Sequence, residues 1–295
     1  MSKLLDPKIL MAIKELSLAA KTTIEGLMNG INKSTVKGAG MEFSQYRSYQ
    51  PGDDLRSLDW KMFARSDRYY IRESEIETNI AIRFIVDASA SMNHDDGAFK
   101  KIQYARYLAA SLAYLGNLQG DAVGLNILTE HEVLALPARQ SFDHLSRIFY
   151  QLEQIEPGGR FTGSDRYTPF YSNPKQKELI VLITDLYQDT DEIFSLLDTV
   201  STAKHEVILF HLMARNELEM DFKGYSTFED LETGATIEID PLAARKAYLL
   251  NLKNHLDEVK RKALDKRIAY RMMCTDEPLE QAIREFLNQR KKLKI

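Results

Sequence analysis

The run Asp87-Ala88-Ser89-Ala90-Ser91 sets one carboxylate and two hydroxyls at alternate positions directly after an apolar stretch, Ile80 to Val86. Alternate side chains of an extended chain share a face. Where such a chain turns into a loop, three oxygen-bearing residues spaced by two can curl round a single point. Donors of this kind suit a hard divalent cation. Magnesium takes oxygen ligands in near-octahedral geometry at about 2.0–2.1 Å and retains waters, so a sparse set of carboxylate and hydroxyl groups suffices. Manganese or calcium would accept the same donors. A second carboxylate, Asp185, follows immediately on another apolar stretch, Leu179 to Thr184. Two carboxylates roughly neutralise the ion, which can then take an Asp or Glu from a partner protein with little repulsion. Seen in isolation, an acid-and-hydroxyl turn after a strand also reads as an ordinary helix cap. His94, Asp95 and Asp96, just beyond it, read as solvated loop.

For these groups to meet, two strands must end side by side. Ligand sites of parallel α/β sheets form beyond the carboxyl ends of the strands, and the chain from Asn79 onward has the alternation of apolar strands and amphipathic helices that builds such a sheet. Strands are expected at Ile80 to Val86, Ala122 to Thr129, Val133 to Leu136, Leu179 to Thr184, Val207 to Met213 and Ile268 to Cys274. Helices are expected at Phe99 to Leu118, Phe142 to Leu152 and Glu192 to Thr202, then from Asp240-Pro241 through Ala263, and at Leu279 to Asn288. Phe228 to Ile239, centred on Thr233-Gly234, reads as a surface hairpin. The fold class is α/β: a doubly wound, mostly parallel sheet with helices on both faces. Residues 79–295 form that domain, with a hairpin insertion near 226–240.

Residues 1–78 read as a small N-terminal module. Asp6-Pro7 begins a helix whose apolar positions Ile9, Ile13, Leu16, Ala20, Ile24 and Leu27 recur at helical spacing, ending near Gly30 and covering a face of its own protein. From Lys37 to Glu77 the helical period is lost, and aromatic residues alternate with charges as in short strands or a β-rich layer. Arg47, Arg56, Arg65, Asp54 and Asp59 surround Trp60 and Phe63 there, a composition suited to an internal lock with Trp60 as its packing anchor.

Composition excludes several classes. The 295 residues are 44% hydrophobic, enough for a core, and carry 39 basic against 43 acidic side chains for a net charge of -4. That balance gives no attraction to nucleic acid. A single cysteine, Cys274, cannot form a disulfide within the chain or a thiolate metal cage, which fits a cytoplasmic protein. Lys14, Glu15 and Asp6 break up any leader peptide, and apolar runs fall short of the roughly 20 residues a membrane helix requires, so no direct membrane insertion is expected.

The run Ile85-Val86-Asp87-Ala88-Ser89-Ala90-Ser91-Met92, with Ile183-Thr184-Asp185 downstream, resembles the metal-ion-dependent adhesion site of von Willebrand factor A-type domains. The resemblance implies that Ser89 and Ser91 touch the metal, that Asp87 and Asp185 bind it directly or through water, and that a loop threonine completes the set. Thr162, in Gly158-Gly159-Arg160-Phe161-Thr162-Gly163, is the choice; threonine more often follows the glycines at once, and Thr168 is the substitute. Further motifs, among them Gly40-Met41-Glu42-Phe43, Arg47-Ser48-Tyr49, Pro51-Gly52-Asp53-Asp54-Leu55-Arg56, Leu58-Asp59-Trp60-Lys61 and Ala64-Arg65, resemble the signature of the bacterial and archaeal family called domain of unknown function 58. Such proteins are commonly encoded beside MoxR-type AAA+ ATPases and other von Willebrand A proteins. The resemblance therefore implies an adaptor or cochaperone whose partner is such an ATPase or a second von Willebrand A protein.

Two other classes compete with this reading. A magnesium-dependent hydrolase or phosphatase could use an Asp after the first parallel strand as nucleophile, but the residue two along is Ser89 and not a second acid. The chain also lacks a Gly-rich phosphate loop ending in Lys-Ser or Lys-Thr and a Gly-x-Ser-x-Gly elbow. No enzyme activity is expected. The other alternative is a scaffold in which the loop holds no metal.

Overall fold

The computed structural model describes residues 13, 15–34, 45–49, 60–73, 80–97, 100–171, 177–201, 205–222 and 224–293. Two compact units make up the chain: Met28–Thr78, and Met1–Leu27 together with Asn79–Ile295. Helix α1 (Leu16–Ser34) opens the described chain and continues past Gly30, where the apolar stripe predicts its end. Its expected start at Asp6-Pro7, with Ile9, lies outside the described residues. Leu16, Ala19, Ala20, Thr23 and Ile24 are buried, so the stripe does cover a face of its own protein.

The unit Met28–Thr78 holds an antiparallel pair, β1 (Gln45–Ser48) and β2 (Tyr70–Glu73), with helix α2 (Trp60–Ser66) between them in sequence. The expected β-rich layer is thus partly helical; Trp60, Met62 and Phe63 fall within a short turn of helix that seven residues are too few to announce by period. Trp60 is 62% exposed and touches Phe63 edge to face, so among the described residues it is not buried as the packing anchor expected of it. The remaining members of the charged block, Asp53 to Asp59, lie outside the described residues, as does the segment Gly40 to Phe43.

The sheet begins with β3 (Ala81–Asp87), followed by a 3-10 turn (Ala90–Asn93) and helix α3 (Lys101–Leu118). Next come β4 (Ala122–Leu128), β5 (Val133–Arg139), α4 (Phe142–Glu153), α5 (Ser164–Tyr171) and β6 (Glu178–Thr184). After β6 the chain forms α6 (Thr190–Val200), β7 (Glu206–Met213), α7 (Arg215–Glu219), the hairpin β8 (Ser226–Glu229) and β9 (Thr236–Ile239), then α8 (Pro241–Asp265), β10 (Ala269–Cys274) and α9 (Glu280–Leu293). Six strands share one sheet in the order β10-β7-β6-β3-β4-β5. All neighbours are parallel except β4 and β5, the edge hairpin. This is the doubly wound α/β architecture expected from the alternation of strands and helices.

The central strands are apolar because both of their faces are covered. Ile85, Ile180, Leu182 and Leu209 pack against Ile193 and Leu196 of α6 and Val259 and Ala263 of α8. On the opposite face Phe84 stacks on Phe286 of α9, ring centroids 6.4 Å apart, and both are fully buried. Asp240 caps α8, accepting from the Leu242 N–H at 3.0 Å, with Pro241 in the first turn as the sequence indicates. Between the pairs Leu125–Leu136 and Val123–Arg139 the edge strand carries one extra residue, a bulge containing Pro137. A Cβ on Gly124 would come within 2.8 Å of the Ala138 nitrogen, so the two backbones approach closely only because Gly124 has none. Among the described residues no helix is long and apolar enough to cross a membrane.

Candidate metal centre

Two adjacent central strands deliver the acid groups. β3 and β6 run in parallel with Val86 opposite Ile183, so Asp87 and Thr184-Asp185 emerge together at one end of the sheet. Asp87 is fully buried, and both its oxygens hold strand ends. Oδ1 accepts from the Ser89 N–H at 2.8 Å, the local turn that an Asp after a strand favours, and Oδ2 accepts from the Thr184 hydroxyl at 2.7 Å. The Ser89 and Ser91 hydroxyls then lie 3.0 Å apart, and Ser91 donates to Asp185 Oδ1 at 3.1 Å. Asp87, Ser89, Ser91 and Asp185 are thereby one buried cluster, as the spacing of residue types anticipates.

The turn is fixed from its other side by the glycine loop. The Ala90 N–H donates to the Gly159 carbonyl and the Gly158 N–H to the Ala88 carbonyl, each at 3.0 Å. Gly159 has φ +69°, and a Cβ there would run into the Glu130 side chain. Gly159→Ala is therefore expected to cost about 1–2 kcal/mol from the left-handed backbone, read as a lower urea midpoint with an unchanged m-value. Thr162 is buried just beyond this loop, but its hydroxyl donates to the Thr129 carbonyl, so the fifth expected donor is turned to the end of β4. Thr168 sits within α5. His94 is not solvated loop: its Nε2 lies 2.9 Å from Asn216 Oδ1, linking the turn to α7.

Several residues of the site are not legible as such in the sequence. Lys101, 2% exposed at the start of α3, places its ammonium 2.7 Å from Asp185 Oδ2 and 2.8 Å from Glu217 Oε1. Burial works against the charge, but Asp185 and Glu217 outweigh it and push the lysine pKa up to about 12. His211 lies beneath, with Nε2 2.9 Å from the Asp185 carbonyl and Nδ1 3.0 Å from the Tyr270 hydroxyl. Burial lowers its pKa to about 4. A neutral ring facing a carbonyl must carry its proton on Nε2, so Nδ1 accepts from Tyr270. Glu232, in the turn between β8 and β9, completes the set; burial, then Asp87 and Asp185, push its carboxyl up to about 7, while the Ser91 hydroxyl opposes the shift. Its Oε1 is buried without a hydrogen-bond partner. A cleft of about 680 Å³ opens beside Asp185, walled by Lys101, Arg160, Tyr187, Tyr248 and His255.

The donor set fits a small oxygen-seeking cation. Adjacent vertices of an octahedron of magnesium dimensions are about 2.9 Å apart, and the Ser89–Ser91 and Ser91–Asp185 oxygens are 3.0 and 3.1 Å apart. Burial, then the neighbouring Asp185, raises the Asp87 pKa to about 6, a repulsion that a divalent ion relieves. Among the described residues no three His, Cys, Asp or Glu side chains converge as a metal cage, so any such ion relies on hydroxyl donors.

A family described as "Protein of unknown function DUF58" matches residues 45–258. An uncharacterised protein of Mycobacterium tuberculosis is 26% identical over 241 residues, covering 80% of this chain and 75% of its own. Among solved structures, an aerotolerance-related membrane protein from Bacteroides fragilis is 17% identical with TM-score 0.49, covering 72% of this chain and 100% of that one. A von Willebrand factor type A protein from Catenulispora acidiphila is 13% identical with TM-score 0.35, covering 46% of this chain and 33% of that one.

Proposed function

We propose that this protein, which belongs to the DUF58 family, is a metal-dependent protein-interaction module that captures an acidic side chain of a partner. The observation that carries the reading is the run of three hydroxyl and carboxylate oxygens at 3.0 and 3.1 Å, the spacing of neighbouring ligands round one small ion. Ser89, Ser91 and Asp185 would hold magnesium, or manganese or calcium. Asp87 acts from behind by fixing the turn, and Thr162 contributes once its hydroxyl leaves the Thr129 carbonyl. When bound, the ion supplies the positive charge that draws in a carboxylate. In this reading the module works in the cytoplasm as a non-catalytic adaptor or cochaperone, with a MoxR-type AAA+ ATPase or another von Willebrand A protein as partner, as the family resemblance implies.

One observation favours a metal-free scaffold instead: the Lys101 ammonium already neutralises Asp185. A thermal-unfolding titration decides between them. A bound ion at 100 times its dissociation constant stabilises by about 2.7 kcal/mol, so magnesium or manganese is expected to raise the wild-type midpoint. Ser89→Ala is expected to lose that rise while its metal-free stability falls by only about 1 kcal/mol, the worth of one hydroxyl contact. Capture of the purified ATPase should fall in parallel with chelator and with Ser89→Ala. A wild-type midpoint that neither metal moves establishes the scaffold.

A further inference from the structure

The β8–β9 hairpin is an arm built to present one side chain. Asp230 organises its turn, accepting from the Glu232 N–H at 2.9 Å on Oδ1 and from the Thr233 hydroxyl at 2.7 Å on Oδ2, while the Gly234 N–H donates to the Asp230 carbonyl at 2.7 Å. A turn held this firmly fixes the direction in which Glu232 leaves it. That direction is toward the cleft beside Asp185: Glu232 lines it together with Asp185 and Lys101, and its buried Oε1 has no hydrogen-bond partner. A buried carboxylate oxygen left without a partner in a cleft that a second carboxylate also lines is an unfavourable placement, which a cation between the two turns into a favourable one.

The rest of the arm is held lightly. Its two strands pair only with each other and join no strand of the six-stranded sheet. Phe222, Phe228 and Ile237, with Met220 and Tyr248, line a space of about 420 Å³ that also reaches Ser91. A hairpin over such a space, with most of its residues exposed or half-exposed, opens at low cost.

We propose that Glu232 is this chain's own stand-in for the partner's acidic side chain, so that the β8–β9 hairpin closes over the metal loop when cation binds and must lift away for a partner to enter. This rests on the metal-loop reading given above. It deepens that reading by naming what regulates access.

The experiment uses the full chain, manganese as probe, and the variants Glu232→Ala and Glu232→Gln, the second keeping the shape while removing the charge. Manganese affinity is read by calorimetry, water access to the bound ion by proton relaxation, and the hairpin by hydrogen exchange of residues 226–239. Wild type is expected to bind manganese about tenfold more tightly than either variant, the effect of one carboxylate more at an oxygen-donor site. Manganese should slow exchange in the wild-type hairpin and not in the variants, and relaxation per bound ion should rise in Glu232→Ala as water takes the freed position. Equal affinities with a hairpin indifferent to manganese would overturn this inference and leave the metal-loop reading standing. Failure of wild type and variants alike to bind manganese would remove both.

Discussion

Lys101→Met is expected to lower the unfolding free energy by about 3–5 kcal/mol, the range found when one partner of a buried ion pair is removed. The cost does not come from losing the attraction itself, much of which is offset by the desolvation of the ammonium. It comes from what stays behind: the Asp185 side chain is fully buried and that of Glu217 largely so, and both lose their cation at once. The other oxygen of each has a partner, Asp185 Oδ1 with the Ser91 hydroxyl and the Tyr187 N–H and Glu217 Oε2 with the Ala214 N–H at 2.7 Å, so the two side chains cannot simply turn to water. Urea unfolding in chelator measures the loss. Magnesium should return part of it, and return more to Lys101→Met than it adds to wild type, because in the variant the ion meets an unneutralised Asp185. A loss under about 1 kcal/mol would mean that the pair is solvated and contributes as surface pairs do.

Phe286→Ala is expected to cost about 3–5 kcal/mol, the usual range for deleting a fully buried ring and leaving a cavity. Phe286 stacks on Phe84 in the middle of β3, two residues before the strand delivers Val86 and three before Asp87. The loss should appear as a lower urea midpoint, with the magnesium-dependent rise in stability retained, since the ring touches the face of β3 opposite the one that carries Asp87. Phe286 also sets α9 against the sheet; the sequence places that helix from Leu279, and the structure runs it from Glu280 to Leu293.

The sheet was legible because its strands are runs of six to eight residues with little polarity, broken by helices with clear apolar stripes. Glu178–Thr184 and Glu206–Met213 each lie within one residue of their expected starts. Elements without such a run were not legible. The bulged β5 continues to Arg139, three residues beyond its expected end at Leu136, because its alternation is interrupted at Pro137, and the short helices α2, α5 and α7 are set by what surrounds them and not by period.

The same division holds in the candidate site. Asp87, Ser89 and Ser91 are neighbours in sequence, and Asp185 announces itself by ending a second apolar run. Lys101, 84 residues from Asp185 and 116 from Glu217, reads in sequence only as the basic start of an amphipathic helix; its pairing is made by packing. Glu232 carried a weaker signal, an acid beside the Thr233-Gly234 turn of an insertion that the sheet does not need. Thr162 shows the limit in the other direction: the chain supplies a threonine in the expected loop, and the structure gives its hydroxyl to Thr129.

The bulge in β5 has a consequence for assembly. The exposed rim of an open sheet is a template on which another chain can add a strand, which is how many β-rich proteins come to polymerise. Pro137 has no N–H to offer, and the extra residue beside it throws the spacing of the remaining donors out of step with any incoming strand. That rim is therefore a poor place to grow a larger sheet, and encounters with other proteins are directed away from it.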